Sequence, residues 1–280
     1  MIVDLCEVLS FAEEKNCAIG AFNTPNLESV MAVIQTAEKF NVPVIISHAE
    51  IHEEVMPLDI IGPIMVNMAR ISKVPVCVHL DHGENIAYLH RALVMGFTSI
   101  MYDGSSLPYI DNVTNTKTVV SLAQKYSAGV EAELGIIGGR ESGDGAGNYN
   151  YQYTDPESAK LFIEDTRINA LACSFGTAHG FYTKKPVLDF ELVKRIYTLT
   201  NTPLVMHGGS GVSSSEYREA IKCGVRKINY YSYMSNAAVK GVKQFFKTDD
   251  VMYFHDVATV AVKSMADDIE KSMKVFYCLE

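Results

Sequence analysis

The chain has 280 residues, 48% hydrophobic and 20% charged, enough for one large α/β domain or two smaller ones around a substantial core. Its 33 acidic against 24 basic residues leave a formal charge of -9, which argues against a general nucleic-acid binder but not against small anions held by backbone dipoles. No apolar run approaches the roughly 20 residues that span a bilayer. The acidic start "MIVDLCEVLSFAEEKN" lacks the regions of a secretory signal, and six scattered cysteines without a C-x-x-C pair read as reduced thiols, so a cytoplasmic protein is expected.

In chain order, short apolar or β-branched runs alternate with longer amphipathic ones. "AIGAFN" (18–23) predicts a strand, and "NLESVMAVIQTAEKF" (26–40) a helix with Asn26 as its N-cap. "PVIISHA" (43–49), "VPVCVHLDH" (74–82) and "TSIMYDG" (98–104) predict three more strands. "NVTNTKTVVSLAQKY" (112–126) reads as a helix and "GVEAELG" (129–135) as the fifth strand. The glycine-rich "IIGGRESGDGAGNYNYQY" (136–153) then reads as a mobile active-site loop, because connections of this length are commonly functional. "PESAKLFIEDT" (156–166) is helical, "ALACSFG" (170–176), "TPLVMHGG" (202–209) and "VRKINYY" (225–231) are strands, and "SSSEYREAIKCG" (213–224) is a helix. Eight βα repeats in about 250 residues predict a single-domain (β/α)8 barrel over 1–280, in preference to a doubly wound open sheet.

In such a barrel the active site gathers at the C-terminal ends of the strands. Those ends carry Asn23, Asp81 and His82, Asp103, Glu131 and Glu133, then His179, His207 and Asn229. His82, His179 and His207 each precede a glycine, and three neutral imidazoles converging from strand ends are the pattern of a catalytic zinc site. His79 shares strand parity with Asp81 but lies deeper, so a supporting role is expected; His48, His52, His90 and His255 have no such context and read as structural. "MHGGSG" (206–211) and "NYYS" (229–232) each lead into a helix after the last two strands, the usual phosphate site of these barrels.

Several motifs resemble, in order and over most of the chain, those of the class II, zinc-dependent ketose-bisphosphate aldolases of the fructose and tagatose type. They are "AFN" (21–23), "HLDHG" (79–83), "YDGS" (102–105), "VEAELG" (130–135), "TDPESAKLF" (154–162), "FGTAHG" (175–180), "MHGGSG" (206–211) and "KIN" (227–229). The resemblance implies retro-aldol cleavage of a ketose phosphate to dihydroxyacetone phosphate and an aldehyde. It makes His82, His179 and His207 the zinc ligands, Asp81 the acid/base, and Asp103 and Glu133 supports or ligands of a second divalent cation. Gly180, Gly208, Gly209, Ser210 and Ser232 would hold the phosphate, with a monovalent cation (Na⁺ or K⁺) nearby, and Asn23 and Asn229 would contact substrate. Glu141 would exchange the proton on the nucleophilic carbon. A homodimer or homotetramer acting in cytoplasmic carbohydrate metabolism such as glycolysis is implied too.

The chemistry suits these residues. Cleaving a β-hydroxy ketone needs an electron sink, which a cation supplies, and a carboxylate to take the C4 hydroxyl proton. A Schiff base on Lys227 is disfavoured because that lysine precedes its strand end. A metal-dependent sugar-phosphate isomerase or epimerase, or a non-catalytic barrel, are the competing readings.

Three departures from the family pattern concern the aldehyde half. Tyr230, Tyr231, Ser232 and Tyr233 stand where the family continues with small, acidic and hydroxyl residues; Ser47, His48 and Ala49 replace Gln-x-Ser/Thr; and Met252 falls where a "DPR"-like arginine reads the distal phosphate. The aldehyde is then expected to differ from glyceraldehyde 3-phosphate or to be bound differently, unless Arg226, Arg140 or a neighbouring subunit supplies the contact.

Overall fold

A computed structural model of the chain describes residues 1–138, 152–182, 184–249 and 252–279. The elements run β1 (Ile2–Val3), α1 (Leu5–Lys15), β2 (Ile19–Asn23), α2 (Leu27–Phe40), β3 (Val44–Ala49), a 3-10 turn (Glu50–His52), α3 (Leu58–Ile71), β4 (Val76–Gly83), α4 (Ile86–Met95) and β5 (Ser99–Tyr102). They continue with α5 (Tyr109–Gln124), β6 (Gly129–Leu134), α6 (Pro156–Thr166), β7 (Ala170–Cys173), α7 (Phe190–Thr200), β8 (Leu204–Met206), α8 (Ser214–Lys222), β9 (Val225–Tyr230), α9 (Ser232–Thr248) and α10 (Phe254–Phe276).

Strands β2 to β9 pair in parallel in sequence order, and β9 returns to β2 through Ala21↔Asn229, closing an eight-stranded barrel with helices between. The eight strands expected from the sequence are these, several of them shorter at their ends. The two-residue β1, not anticipated, pairs Ile2↔Val76 at the start of β4. Its N-terminal ammonium donates to Ala69 O at 3.0 Å and Val74 O at 3.1 Å, which ties the chain start to the loop after α3.

Strands such as β2 and β3 are buried along their whole length, as parallel strands covered on both faces must be. The helices bury one stripe: α2 turns Val30, Val33, Ile34 and Ala37 inward, between an Asn26 side chain capping Ser29 N–H and a left-handed Asn41. Six cysteines are free thiols; Cys6 and Cys278 are exposed and the other four are buried. Among the described residues no helix is long and apolar enough to cross a membrane.

One end of the barrel is sealed by the C-terminal helix. Tyr277, just past α10, donates its hydroxyl to Pro43 O and accepts Gly20 N–H at 3.2 Å. Arg226 lies at this same end, its Nη1 donating to Ile221 O (2.7 Å) and its Nε 2.8 Å from Glu13. It therefore does not reach the opposite rim, where a substrate phosphate would sit.

Tyr277→Phe strands a buried carbonyl and a buried N–H, each worth about 1–3 kcal/mol when left unpaired. Urea denaturation should show a stability loss of about that size, and an unchanged midpoint would show that water replaces the hydroxyl.

Candidate active site

Alternation along three strands builds the site in two layers. His79 and Asp81 on β4, Glu131 and Glu133 on β6, and Lys227 and Asn229 on β9 are each two residues apart and all buried, so both members of each pair point inward. In the lower layer Lys227 Nζ lies 2.8 Å from Glu131 Oε2, and His79 Nδ1 bonds Ser99 Oγ at 2.7 Å. Burial works to raise the Glu131 carboxyl, but the Lys227 ammonium and the His207 hydrogen bond overcome it and hold it at about 2. His79 is driven down to about 3 by burial and the Lys227 charge, which leaves it neutral beneath the site.

In the upper layer Asp81 is fully buried. Its Oδ2 accepts from Asn23 Nδ2 at 3.1 Å and its Oδ1 from Asn229 Nδ2 at 3.0 Å. Lys227 sets the Asn229 amide by donating to its Oδ1 at 2.7 Å, which leaves the NH₂ facing Asp81. Desolvation pushes the Asp81 carboxyl up, yet the positive surroundings at His82, His207 and Lys227 hold it below the usual carboxylate range.

His82 departs from the alternation. Its φ is +46°, a left-handed conformation that costs a non-glycine residue energy, and the β4–β5 register shifts between Leu80 and Gly83. The turn swings its ring off the strand toward the other two histidines. His82 Nε2 lies 2.8 Å from His207 Nδ1 and 3.2 Å from His179 Nε2. The outer nitrogens fix the tautomers: His82 Nδ1–H donates to Asp103 Oδ2 at 2.8 Å and His207 Nε2–H to Glu131 Oε1 at 2.8 Å. The inner nitrogens of the three rings therefore turn toward one another, and although burial opposes it, the Asp81, Asp103 and Glu133 carboxylates raise the His82 imidazole well above its usual range, so the cluster draws positive charge to this point. Burial and the neighbouring His82 and His207 drive His179 down to about 3, leaving it in the neutral form a metal requires.

The carboxylates expected to support this centre do converge on it. Asp103 is held by Ser105 N–H (3.1 Å) and Ser105 Oγ (2.7 Å) while it orients His82. Ligand atoms of His82, Asp103 and Glu133 lie within 4.8 Å of one another, as do those of the three histidines. Glu133 is buried, its Oε2 has no hydrogen-bond partner among the described residues, and desolvation with the Asp103 charge raises its carboxyl well above the usual range. Both donor sets fit a divalent cation.

The glycine-rich loops form the adjoining wall. Gly208 has a φ of +61°, and a Cβ there would lie 2.3 Å from Ala178 O, so only glycine permits this approach. Ser210 Oγ accepts the Tyr231 backbone N–H at 3.1 Å, joining the loops after β8 and β9. Gly180, Tyr231 and Ser232 line a pocket of about 220 Å³ at the start of α9, and Gly209 packs against Asn229 O below it. A second cleft, of about 590 Å³, opens from His82, His179, Asp103 and Glu133 toward Glu50 and Glu84.

Glu141 and residues 139–151 of the expected loop lie outside the described residues. The base of that loop is described: Ile136 bridges Gln152, and Gly138 O accepts His179 N–H at 2.9 Å. His48 is fully buried with Nε2 on the Tyr88 hydroxyl at 3.1 Å, while His52, expected to be structural, reaches the barrel mouth with its ring 5.3 Å from Tyr231. Glu131, one of the strand-end acids, and Lys227 prove to be an ion pair beneath the site. The i, i+2 spacing of "EAE" and "KIN" is the signal that would have put both beneath the site.

A family model described as fructose-bisphosphate aldolase class-II matches residues 3–280. The chain is 37% identical over 244 residues to the protein YdjI of Escherichia coli strain K12, with 87% of each chain covered. It is 35% identical over 284 residues to the 6-phospho-5-dehydro-2-deoxy-D-gluconate aldolase of Halalkalibacterium halodurans, covering 98% of this chain and 96% of that one. The crystal structure of the YdjI aldolase superposes with a TM-score of 0.88 at 34% identity, over 99% of this chain and 97% of that one.

Because Lys227 compensates the carboxylate that orients His207, Lys227→Met should weaken metal binding about 10–100-fold, the usual cost of losing an outer partner of a ligand. Chelator competition reads this directly. Parental metal affinity in a folded variant would mean that the ion pair serves packing alone.

Proposed function

This chain belongs to the class II fructose-bisphosphate aldolase family, and from that premise we propose how its residues divide the work of the reaction. The protein is a lyase that cleaves a ketose phosphate by a retro-aldol reaction, in a family that depends on a metal ion. The family name specifies a bisphosphate, whereas the Halalkalibacterium relative is named for a substrate with a single phosphate.

His82, His179 and His207 would hold a catalytic zinc ion, three neutral nitrogens with an open position being that metal's catalytic set. When bound, the ion supplies Lewis-acid stabilisation of the negative charge that bond cleavage leaves on the ketose. The single observation that carries the reading is the convergence of one nitrogen from each of His82, His179 and His207, with the outer nitrogens of His82 and His207 engaged by Asp103 and Glu131. Asp103 and Glu133 would support this centre or hold a second divalent cation.

Asp81 takes the proton from the C4 hydroxyl. Its two amide partners keep the carboxylate aimed and ionised, and the C3–C4 electron pair then moves onto the ketose fragment as the aldehyde departs. Protonation at C3 releases dihydroxyacetone phosphate, a step we assign to Glu141. Asn23 and Asn229 line the reacting carbons. The backbone of Gly180, Gly208 and Gly209 with Ser210 and Ser232 binds the phosphate at the α9 N-terminus, where a monovalent cation would share its charge. A cytoplasmic homo-oligomer fits the exposed Val239, Phe246, Met252, Tyr253 and Phe254 of α9, α10 and the segment between them, apolar surface of the kind that copies of a chain cover.

Asp81→Ala should lower kcat about 10²–10⁴-fold in a coupled triose-phosphate assay while retaining its metal. Chelation should abolish activity and added zinc restore it. Activity that survives chelation, or an Asp81→Ala enzyme within a few-fold of the parent, would sink this assignment.

A further inference from the structure

The cleft beyond the three histidines is one-sided in charge. Asp103 and Glu133 line its floor and Glu50 and Glu84 its rim, with no lysine or arginine among its described lining residues. Glu50 is fixed in place: its Oε2 accepts the backbone N–H of Glu84 at 2.9 Å and of Asn85 at 3.2 Å. A cation held by the histidines would offset the charge of the floor and leave the Glu50 and Glu84 rim negative.

Tyr231 lines the proposed phosphate pocket, and His52, in the 3-10 turn that also carries Glu50, packs against it. Ala49 lies beside Asp81 in the β3–β4 register, so the 3-10 turn that follows carries His52 over the mouth. His52 is 7% exposed, its ring is 5.3 Å from that of Tyr231, and its Nδ1 has no hydrogen-bond partner among the described residues. Burial holds its imidazole in the neutral form, the Asp81 charge only partly opposing this. Tyr231 is pinned by its backbone N–H on Ser210 and forms one wall of the phosphate pocket. Fixed carboxylates, an aromatic face and a buried imidazole nitrogen seeking a partner suit hydroxyl groups and repel a second phosphate.

We propose that the aldehyde half of the substrate carries no phosphate and is read by His52 and Tyr231, so that the substrate is a ketose 1-phosphate with an uncharged polyhydroxyl tail. This rests on the retro-aldol reading above, in which dihydroxyacetone phosphate occupies the metal and the glycine-rich loops.

The test uses zinc-loaded enzyme with fructose and tagatose 1-phosphates and the two 1,6-bisphosphates, followed by release of dihydroxyacetone phosphate. Exchange of that product's C3 hydrogen with deuterated water is measured in parallel. The 1-phosphates should show kcat/KM at least about tenfold higher, the scale of a single charge-assisted hydrogen bond. His52→Ala should lower the ratio of 1-phosphate cleavage to exchange about tenfold, because exchange needs only the three-carbon half. A higher kcat/KM for a bisphosphate, exchange without cleavage of any of the four, or an unchanged ratio in His52→Ala overturns the proposal. Loss of exchange and cleavage together overturns the assignment of dihydroxyacetone phosphate to this site, and the proposal with it.

Discussion

The buried ion pair between Lys227 and Glu131 is the constraint on which the site hangs. Two charges are removed from water inside the barrel, a cost repaid only if every remaining donor and acceptor finds a partner. Glu131 meets this by accepting from His207, and Lys227 by donating to Asn229, so satisfying the pair turns one residue toward the histidine cluster and the other toward Asp81. A structural requirement of the interior thereby sets the geometry of both chemical groups. Removing either member would leave a charge alone in a low-dielectric interior.

Above this layer, regular strand alternation stops serving the site and strain begins. Asp81 points inward by parity, but His82 would then point outward, away from His179 and His207. The left-handed turn at His82 and the register shift beside it bring its ring back over the barrel mouth. Asp103 holds the ring there from the neighbouring strand end, and Ser105 holds Asp103. Two residues adjacent in sequence can thus face one centre from two directions.

The two halves of the mouth differ in kind. On one side, glycines at Gly208 and Gly209 bring backbone close to backbone near the start of α9. On the other side Glu50, Glu84 and the His52–Tyr231 pair offer carboxylates and rings. One barrel thus presents different surfaces on the two sides of its mouth, because its loops vary independently of its strands.

The barrel was legible in the sequence because its strands are continuous apolar runs bounded by glycine, proline and polar residues, and such runs are local. The three His-Gly pairs, Asp81 and the glycine-rich ends of β8 and β9 were legible for a related reason, since repeat position alone assigns them to the mouth. What depended on distance in sequence was not: Glu131 meets Lys227 across 96 positions, and only barrel closure brings β6 and β9 face to face. The same holds for His52, which has no periodic signal and gains its place from the turn after β3 and from a tyrosine on the last strand's loop. Arg226 carries the converse lesson, because a charge at a strand's first residues lies at the closed end of the barrel, whatever phosphate the chemistry would wish for it. Periodicity and spacing determined which end of the barrel reacts, while closure of the barrel decided which side chains meet there, because contacts between distant strands exist only once the circle is complete.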